Sequence, residues 1–462
     1  MPFQHNHPSS IHAFDVDHEQ FQCRVIDNDS ITETTPDSIT ATFDSSLPTT
    51  EGTLPGNETW TGLTPIVLTG DVIVPVGTTL TLEAGTVIEV QPLADNGRSG
   101  LDLSRIELIV EGALDLQGTG VSPVTLTSSR TPTPFPGDWY GIRILDSADS
   151  TFTVHDLVLE YGVRGIWGYP GSHQDVLDNT VRDMTQDGIY LQFGNGVRDG
   201  GDPGMLVSGN TVERTGTSYN GIYLVRSGSL ASWNDAVHQV TGNSTDDTGS
   251  RGLYISPGNA ERTEVTTNIV SNTSFGIYVN GGSTATYTNH VEVTGNQVSS
   301  AGSWSLYQYT GRTALYKNNT VTGGNNGIYS YATAEGRFID NVLSGGTGTG
   351  INMSSSGGVS DSYVLRNSIT GYGIDGISSS NVCGMTVLYN TVTNSGGDAL
   401  QLNTLNATSV PRVHWNNIDG STAYDVNLTS ITGADVRHNY WTGSNAEMLA
   451  EGYPSEISEI FD

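Results

Sequence analysis

Two sets of side chains in this 462-residue sequence have the types and spacing for chemistry. The first is a mixture of acids, arginines and a histidine between Arg198 and Arg262. Arg226 or Arg251 beside a substrate carboxylate would neutralise it. Tyr223 or His238 would then take the neighbouring carbon-bound proton, the pattern of β-elimination on a uronic-acid polymer. Asp199, Asp202 and Asp235 offer the alternative, a hydrolytic acid and base, provided two of them stand about 5–9.5 Å apart. The second set is acidic: Asp375 and Asp398 lie eight residues after Asn367 and Asn390, and Asp425 lies eight after Asn417. In register on adjacent strands such carboxylates stand about 4.8 Å apart and repel by about 3 kcal/mol at an effective dielectric of 20. They are then either screened by water or hold a hard cation such as Ca2+, the one cofactor the sequence suggests.

Positioning these residues falls to one phrase, Asn-x-Val followed by Gly-Ile-Tyr-Leu, that recurs from Asn179 to Asn439. Successive copies start 31, 33, 25, 28, 23, 22, 26, 23, 26 and 23 residues apart. A unit of that length cannot bury its own apolar face and must stack on its neighbours. Within each copy the apolar residues alternate over three to six positions, which is strand period, and Gly, Asn, Ser and Thr fill the gaps. Helical repeats are excluded. The expected fold is all-β, a single right-handed parallel β-helix of roughly fourteen coils. At about 4.8 Å per coil the rod is about 65 Å long. The recurrent Asn is expected at a turn, where it tolerates left-handed backbone and its amide bonds from coil to coil.

Aligning the copies on Gly-Ile-Tyr places Tyr190, Tyr223, Tyr254, Tyr278, Tyr307 and Tyr329 at one strand position, with Trp167 one coil earlier. Later coils put Asn352, Ser378, Gln401 and Asn427 there. If the flanking Ile and Leu point inward, the aromatics point outward. A flat ribbon of this kind suits the apolar faces of sugar rings, and cross-strand aromatic pairs also stabilise a sheet by themselves. The longest intervals fall in the tyrosine-bearing half and lengthen the turns after the tyrosine strand, the side of a solenoid that usually carries function.

Composition narrows the partners. The net charge is −31 and Lys317 is the only lysine, so nucleic acid and anionic lipid are repelled. No apolar run is long enough for a transmembrane helix. Two cysteines, Cys23 and Cys383, make no disulfide framework. The opening residues lack the basic and apolar regions of a secretory signal. Residues 1–58 are expected to form an acidic disordered tail, in which His5, His7, His12 and His18 are a weak transition-metal pattern. Residues 59–443 are the solenoid and 444–462 its terminal cap.

The early pieces Val74-Pro75, Gly77-Thr78-Thr79-Leu80-Thr81-Leu82 and Ala84-Gly85, together with the Asn-x-Val copies and Asn439-Tyr440-Trp441, resemble the parallel β-helix proteins of the pectin-lyase-like superfamily. That resemblance implies a secreted or surface protein whose partner is a polysaccharide or cell-surface glycan, as a monomer or homotrimer. It does not imply one activity. Of the polygalacturonase-like signatures only Asp246-Asp247 is present, and the pectate-lyase, pectin-esterase and epimerase signatures are missing. The expected function is glycan binding along the aromatic column by Trp167 and the six tyrosines. A lyase or hydrolase using Arg226, Asp235, His238 and Arg251 in the same groove is the alternative, and a structural rod or tailspike-like protein is a third.

Overall fold

The computed structural model of the protein describes residues 47–441, less 63, 150–151, 169–174, 194–204, 227–236, 258–261, 282–289, 310–312, 332–334, 355–360, 381, 383, 404–410 and 430–433. The chain divides into two units, Met1–Pro48 and Thr49–Asp462; the second is described below. The histidines of the expected tail and the expected cap at 444–462 lie outside the described residues. Strand pairing starts at Gly52–Thr53, inside the segment expected to be tail.

Short alternating runs separated by turn residues give each coil three strands, and all named strand pairs are parallel, as a solenoid requires. Two faces are stacks of fifteen strands, close to the fourteen coils expected; the third holds eleven strands, with a three-stranded stack serving the first coils. One turn shows the path. Thr211–Glu213 lies on the narrow face, Ile222–Arg226 on the aromatic face, and Val237–Thr241 on the third face before the chain returns. The interior is filled by like-on-like columns such as Ile189, Ile222, Leu253, Ile277, Leu306, Ile328 and Ile351, all essentially without exposure. No helix among the described residues is long and apolar enough to cross a membrane.

The glycine of the Gly-Ile-Tyr phrase answers to close packing. A Cβ on Gly221 would stand 2.7 Å from the carbonyl oxygen of Gly252 in the next coil. Most coils keep glycine here, and Asp71, Glu107, Ser305, Ala399 and Asp425 are the larger exceptions.

Eleven buried asparagines, from Asn179 to Asn439, form a ladder along one corner. Each after Asn179 accepts on Oδ1 from both the backbone N–H and the side-chain amide of the preceding ladder asparagine, and Asn179 Oδ1 accepts from Leu157 N at 3.0 Å. Asn319 Oδ1, for example, accepts from Asn296 N at 3.0 Å and from Asn296 Nδ2 at 3.0 Å. The same Nδ2 donates to Val265 O at 2.9 Å. Each amide thus satisfies backbone groups that the corner would otherwise bury without partners.

The left-handed residue is not the asparagine, contrary to expectation, but the one before it. Asp178, Gly209, Gly242, Thr267, Gly295, Asn318, Asp340, Arg366, Tyr389, Trp415 and His438 all have positive φ. A second left-handed corner follows five residues later in each of these coils up to that of Trp415, at Asp183, Arg214, Asp247, Asn272 and their counterparts. The asparagine is therefore required by its amide rather than by its backbone, while the strained corner accepts Thr, Arg, Tyr and Trp because a fully bonded neighbour holds it.

Candidate functional site

Pairing register puts the aromatics in one column. Trp167 is opposite Tyr190, and Tyr190, Tyr223, Tyr254, Tyr278, Tyr307 and Tyr329 follow strand by strand, ending against Asn352. Each tyrosine lies between two buried residues, aliphatic or small except for Gln308 after Tyr307, and is itself partly exposed; Trp167 is buried at 8 % exposure. Phe275 and Trp304 widen the strip on one side, and Tyr309 and Tyr331, stacked at 5.3 Å, widen it on the other.

The rings do not lie flat on the sheet. Tyr223 and Tyr254 have centroids 4.6 Å apart and planes 9° apart, and Tyr307 and Tyr329 are at 4.8 Å and 12°. Parallel rings that close must overlap face to face, so they stand on the sheet and offer edges and hydroxyls outward. Strand spacing explains this, since about 4.8 Å between coils is too little for side-by-side rings. The stack turns edge-on twice, between Tyr190 and Tyr223 at 78° and between Tyr254 and Tyr278 at 80°.

One arginine lies just before the first break and another spans the second. The Arg164 guanidinium sits 4.5 Å from the Trp167 ring and 4.9 Å from that of Tyr190. Arg251 sits 4.6 Å from Tyr254 and 4.7 Å from Tyr278. Arg164 had no role in the sequence reading. Its signal was nonetheless present, because Arg164-Gly165-Ile166-Trp167 and Arg251-Gly252-Leu253-Tyr254 are the same phrase.

Burial, reinforced by neighbouring tyrosines, pushes the Tyr223 and Tyr307 phenols up to about 12, and those of Tyr278 and Tyr329 are raised as well. At neutral pH Tyr223, Tyr278, Tyr307 and Tyr329 keep their phenolic protons, and a phenolate at Tyr223 is scarcely populated.

The acid–base candidates are not gathered around it. His238 points into the solenoid from the third face, where its Nδ1 accepts from Met205 N at 3.3 Å. Asp199, Asp202 and Asp235 lie outside the described residues, as does the Arg226 side chain. Of the four catalytic candidates, Arg251 alone is seen on the aromatic face.

The acidic column is partly re-registered. Asp375 and Asp398 are in line, and Asp375 Oδ1 accepts from Asp398 N at 3.0 Å. Asp398 in turn accepts from Tyr424 N at 3.1 Å and from Asn427 Nδ2 at 2.8 Å. Asp425 falls one residue out of line, opposite Ala399, and accepts from Ser421 Oγ. The ladder residue of that coil is Asn416 rather than Asn417, which shifts the count by one. The two aligned carboxylates thus cap backbone N–H groups of the next coil. Among the described residues no three His, Cys, Asp or Glu side chains converge as a metal site would require.

A second polar cluster sits near the first coils. Asp71 and Glu107 are without exposure and Asp95 nearly so. Asp71 Oδ1 accepts from Glu107 N at 2.6 Å, and Asp95 Oδ1 accepts from Asp71 N at 3.1 Å. Glu107 Oε2 is paired with Arg143 Nε at 2.7 Å. Burial, with the charges of Asp95 and Glu107 nearby, pushes Asp71 up to about 6 against the hydrogen bonds that lower it.

The family described as right handed beta helix region matches residues 119–298 and 284–441, and the pectate-lyase like beta helix domain matches residues 52–157. The chain belongs to the right-handed β-helix family. Among solved members of that architecture, a double mutant of the periplasmic alginate epimerase AlgG is 12 % identical, with 82 % of this chain and 78 % of that one covered and a TM-score of 0.36. A mutant tailspike protein of E. coli bacteriophage HK620, solved with a hexasaccharide, is 15 % identical over 80 % of this chain and 71 % of that one, with a TM-score of 0.21. No curated protein matches the sequence. For this β-helix protein, any activity must therefore be argued from its own side chains.

Proposed function

We propose that this β-helix protein is an extracellular or surface protein that binds polysaccharide along the aromatic column. The observation that carries the reading is the unbroken register of Trp167 and six tyrosines across seven coils, the six tyrosines being partly exposed. A glycan chain is a linear array of hydroxyls with apolar patches, and a linear array of phenols complements it over many short-range contacts. Binding is preferred over processing because Tyr223 is held protonated and His238 is turned into the core, which leaves the column without a proton acceptor among the described candidates.

The test is incubation with a panel of plant, algal and microbial polysaccharides, reading bound protein, new reducing ends and the absorbance of unsaturated uronates together. Bound protein without products is expected. Tyr254→Ala and Tyr307→Ala should each weaken binding about five- to tenfold, consistent with about 1 kcal/mol per aromatic contact. Tyr307→Phe, which keeps the ring, should show an intermediate loss. Products that vanish in Arg251→Ala would replace the binder with a lyase, and binding indifferent to both alanine variants would remove the column from the site.

A further inference from the structure

We infer that the column takes a polyanionic glycan and that Arg164 and Arg251 hold two of its anionic groups. This rests on the glycan-binding reading and adds to it the charge of the ligand and the residues that read it. The chain carries 49 acids against 18 lysines and arginines, so an arginine on its surface readily finds a carboxylate. Nine described arginines do so, Arg143 with Glu107 and Arg366 with Asp340 among them. Among the described residues Arg98, Arg164, Arg251 and Arg412 form no such pair. Arg98 and Arg412 are exposed, where water serves. Arg164 and Arg251 are partly buried, and both lie against column rings.

A half-buried guanidinium with no carboxylate in salt-bridge contact is costly, and cation–π contact, joined for Arg164 by the charge of Asp187 farther off, offsets only part of its lost hydration. Stacking on a ring leaves the in-plane N–H groups free to bind a carboxylate or sulfate in fork geometry. Arg164 commits its Nε to Gln186 Oε1 at 2.7 Å. Arg251 donates from one terminal nitrogen to Ser250 Oγ at 3.2 Å, and its Nε is buried without a hydrogen-bond partner.

The acid nearest this pair of arginines in the strand register, Asp187, is already engaged. It accepts from Asn220 N at 2.9 Å and from Asn220 Nδ2 at 2.8 Å. Arg164, Asp187, Asn220 and Arg251 occupy one column beside the tyrosines, so the two cations are three coils apart, about 14 Å along the axis. Further along, that same column carries Asp375 and Asp398. The strip is cationic at one end and acidic at the other, which orients a polyanion toward the first.

The test uses the full chain and matched polymers: polygalacturonate against its methyl ester, and dextran sulfate against dextran. The charged member of at least one pair should bind ten times more tightly or better at low salt, and that advantage should shrink as salt screens it. Arg164→Gln and Arg251→Gln should each cut the advantage several-fold, and the double variant should abolish it. Arg98→Gln is the control and should do nothing. Arg251→Lys, which keeps the charge without the fork, should fall between parent and Arg251→Gln and so separates lost binding from damaged folding. Preference for the carboxylated pair or the sulfated pair tells which anion the site favours, and either supports the inference. Equal binding of charged and neutral partners would overturn it while leaving the tyrosine column as a glycan site. Absence of binding to all four polymers would count against both.

Discussion

Asn296→Ala should lower stability by on the order of 4 kcal/mol, although it removes only three heavy atoms from a side chain that touches no ligand. The lost amide leaves the buried N–H of Asn268 without its partner, takes one donor from Val265 O, and removes one of the acceptors of the Asn268 amide. Each orphaned buried group costs about 1–3 kcal/mol. Asn296→Asp should do no better, because a carboxylate keeps the acceptor but faces Val265 O and Asn319 Oδ1 with no proton to give. Thr320→Ala, at an exposed position one residue beyond the next ladder asparagine, should stay within about 0.5 kcal/mol of the parent. Urea or thermal unfolding of the three variants decides the matter. If Asn296→Ala unfolds with Thr320→Ala, the ladder is ornament rather than support.

Asp71→Asn is expected to act in the opposite direction, and only above mildly acidic pH. Asp71 has an unfolded value of 3.8 and a folded value of about 6, so the native state holds its proton more tightly than the unfolded chain does. Stability therefore falls as pH rises from about 4 to about 6 and stays lower above that, by on the order of 3 kcal/mol for a shift of this size. Asparagine removes that charge while its Oδ1 still accepts from Glu107 N. The variant should be more stable than the parent at pH 7.5 and no more stable at pH 4. Because every other carboxylate titrates in both proteins, the difference between their melting curves isolates this one. A variant that is weaker at both pH values would mean that the hydrogen bonds of the carboxylate outweigh the cost of burying its charge.

Much of this was legible because a solenoid repeats its logic. The spacing of Asn179, Asn210 and their successors located the ladder, and counting forward to Tyr190 and Tyr223 gave the register of the aromatic face. Alternation then said which residues face out. What alternation does not say is how a ring stands once it is out. The ring planes follow from packing between coils, which is why a flat ribbon was expected and a standing stack is found. The displacement of Asp425 has a simpler cause: Asn416 and Asn417 are adjacent, and only the amide bonds to Asn390 and Asn439 identify the ladder member. Arg164 was passed over because an arginine is unremarkable until its missing carboxylate is noticed, and that requires knowing the partners of the others. His238 misled for a related reason, since residue type alone does not reveal a ring turned inward.

The paired left-handed corners have a consequence for the length of the molecule. With four residues between them in coil after coil, the wall they bracket cannot absorb an extra residue, so differences between coils collect elsewhere in the turn. A coil is therefore a unit of length as well as of structure. Excising residues 319–340 would bring Asn318, already left-handed, against Asn341, so that Asn296 would pass its amide bond to the next ladder member without a change of phase. The protein would be one step of about 4.8 Å shorter and its tyrosine row one ring poorer. Adding or subtracting whole coils in this way sets how much of a polymer the surface spans, so reach along a glycan is counted in repeats and can be changed without redesigning any single contact.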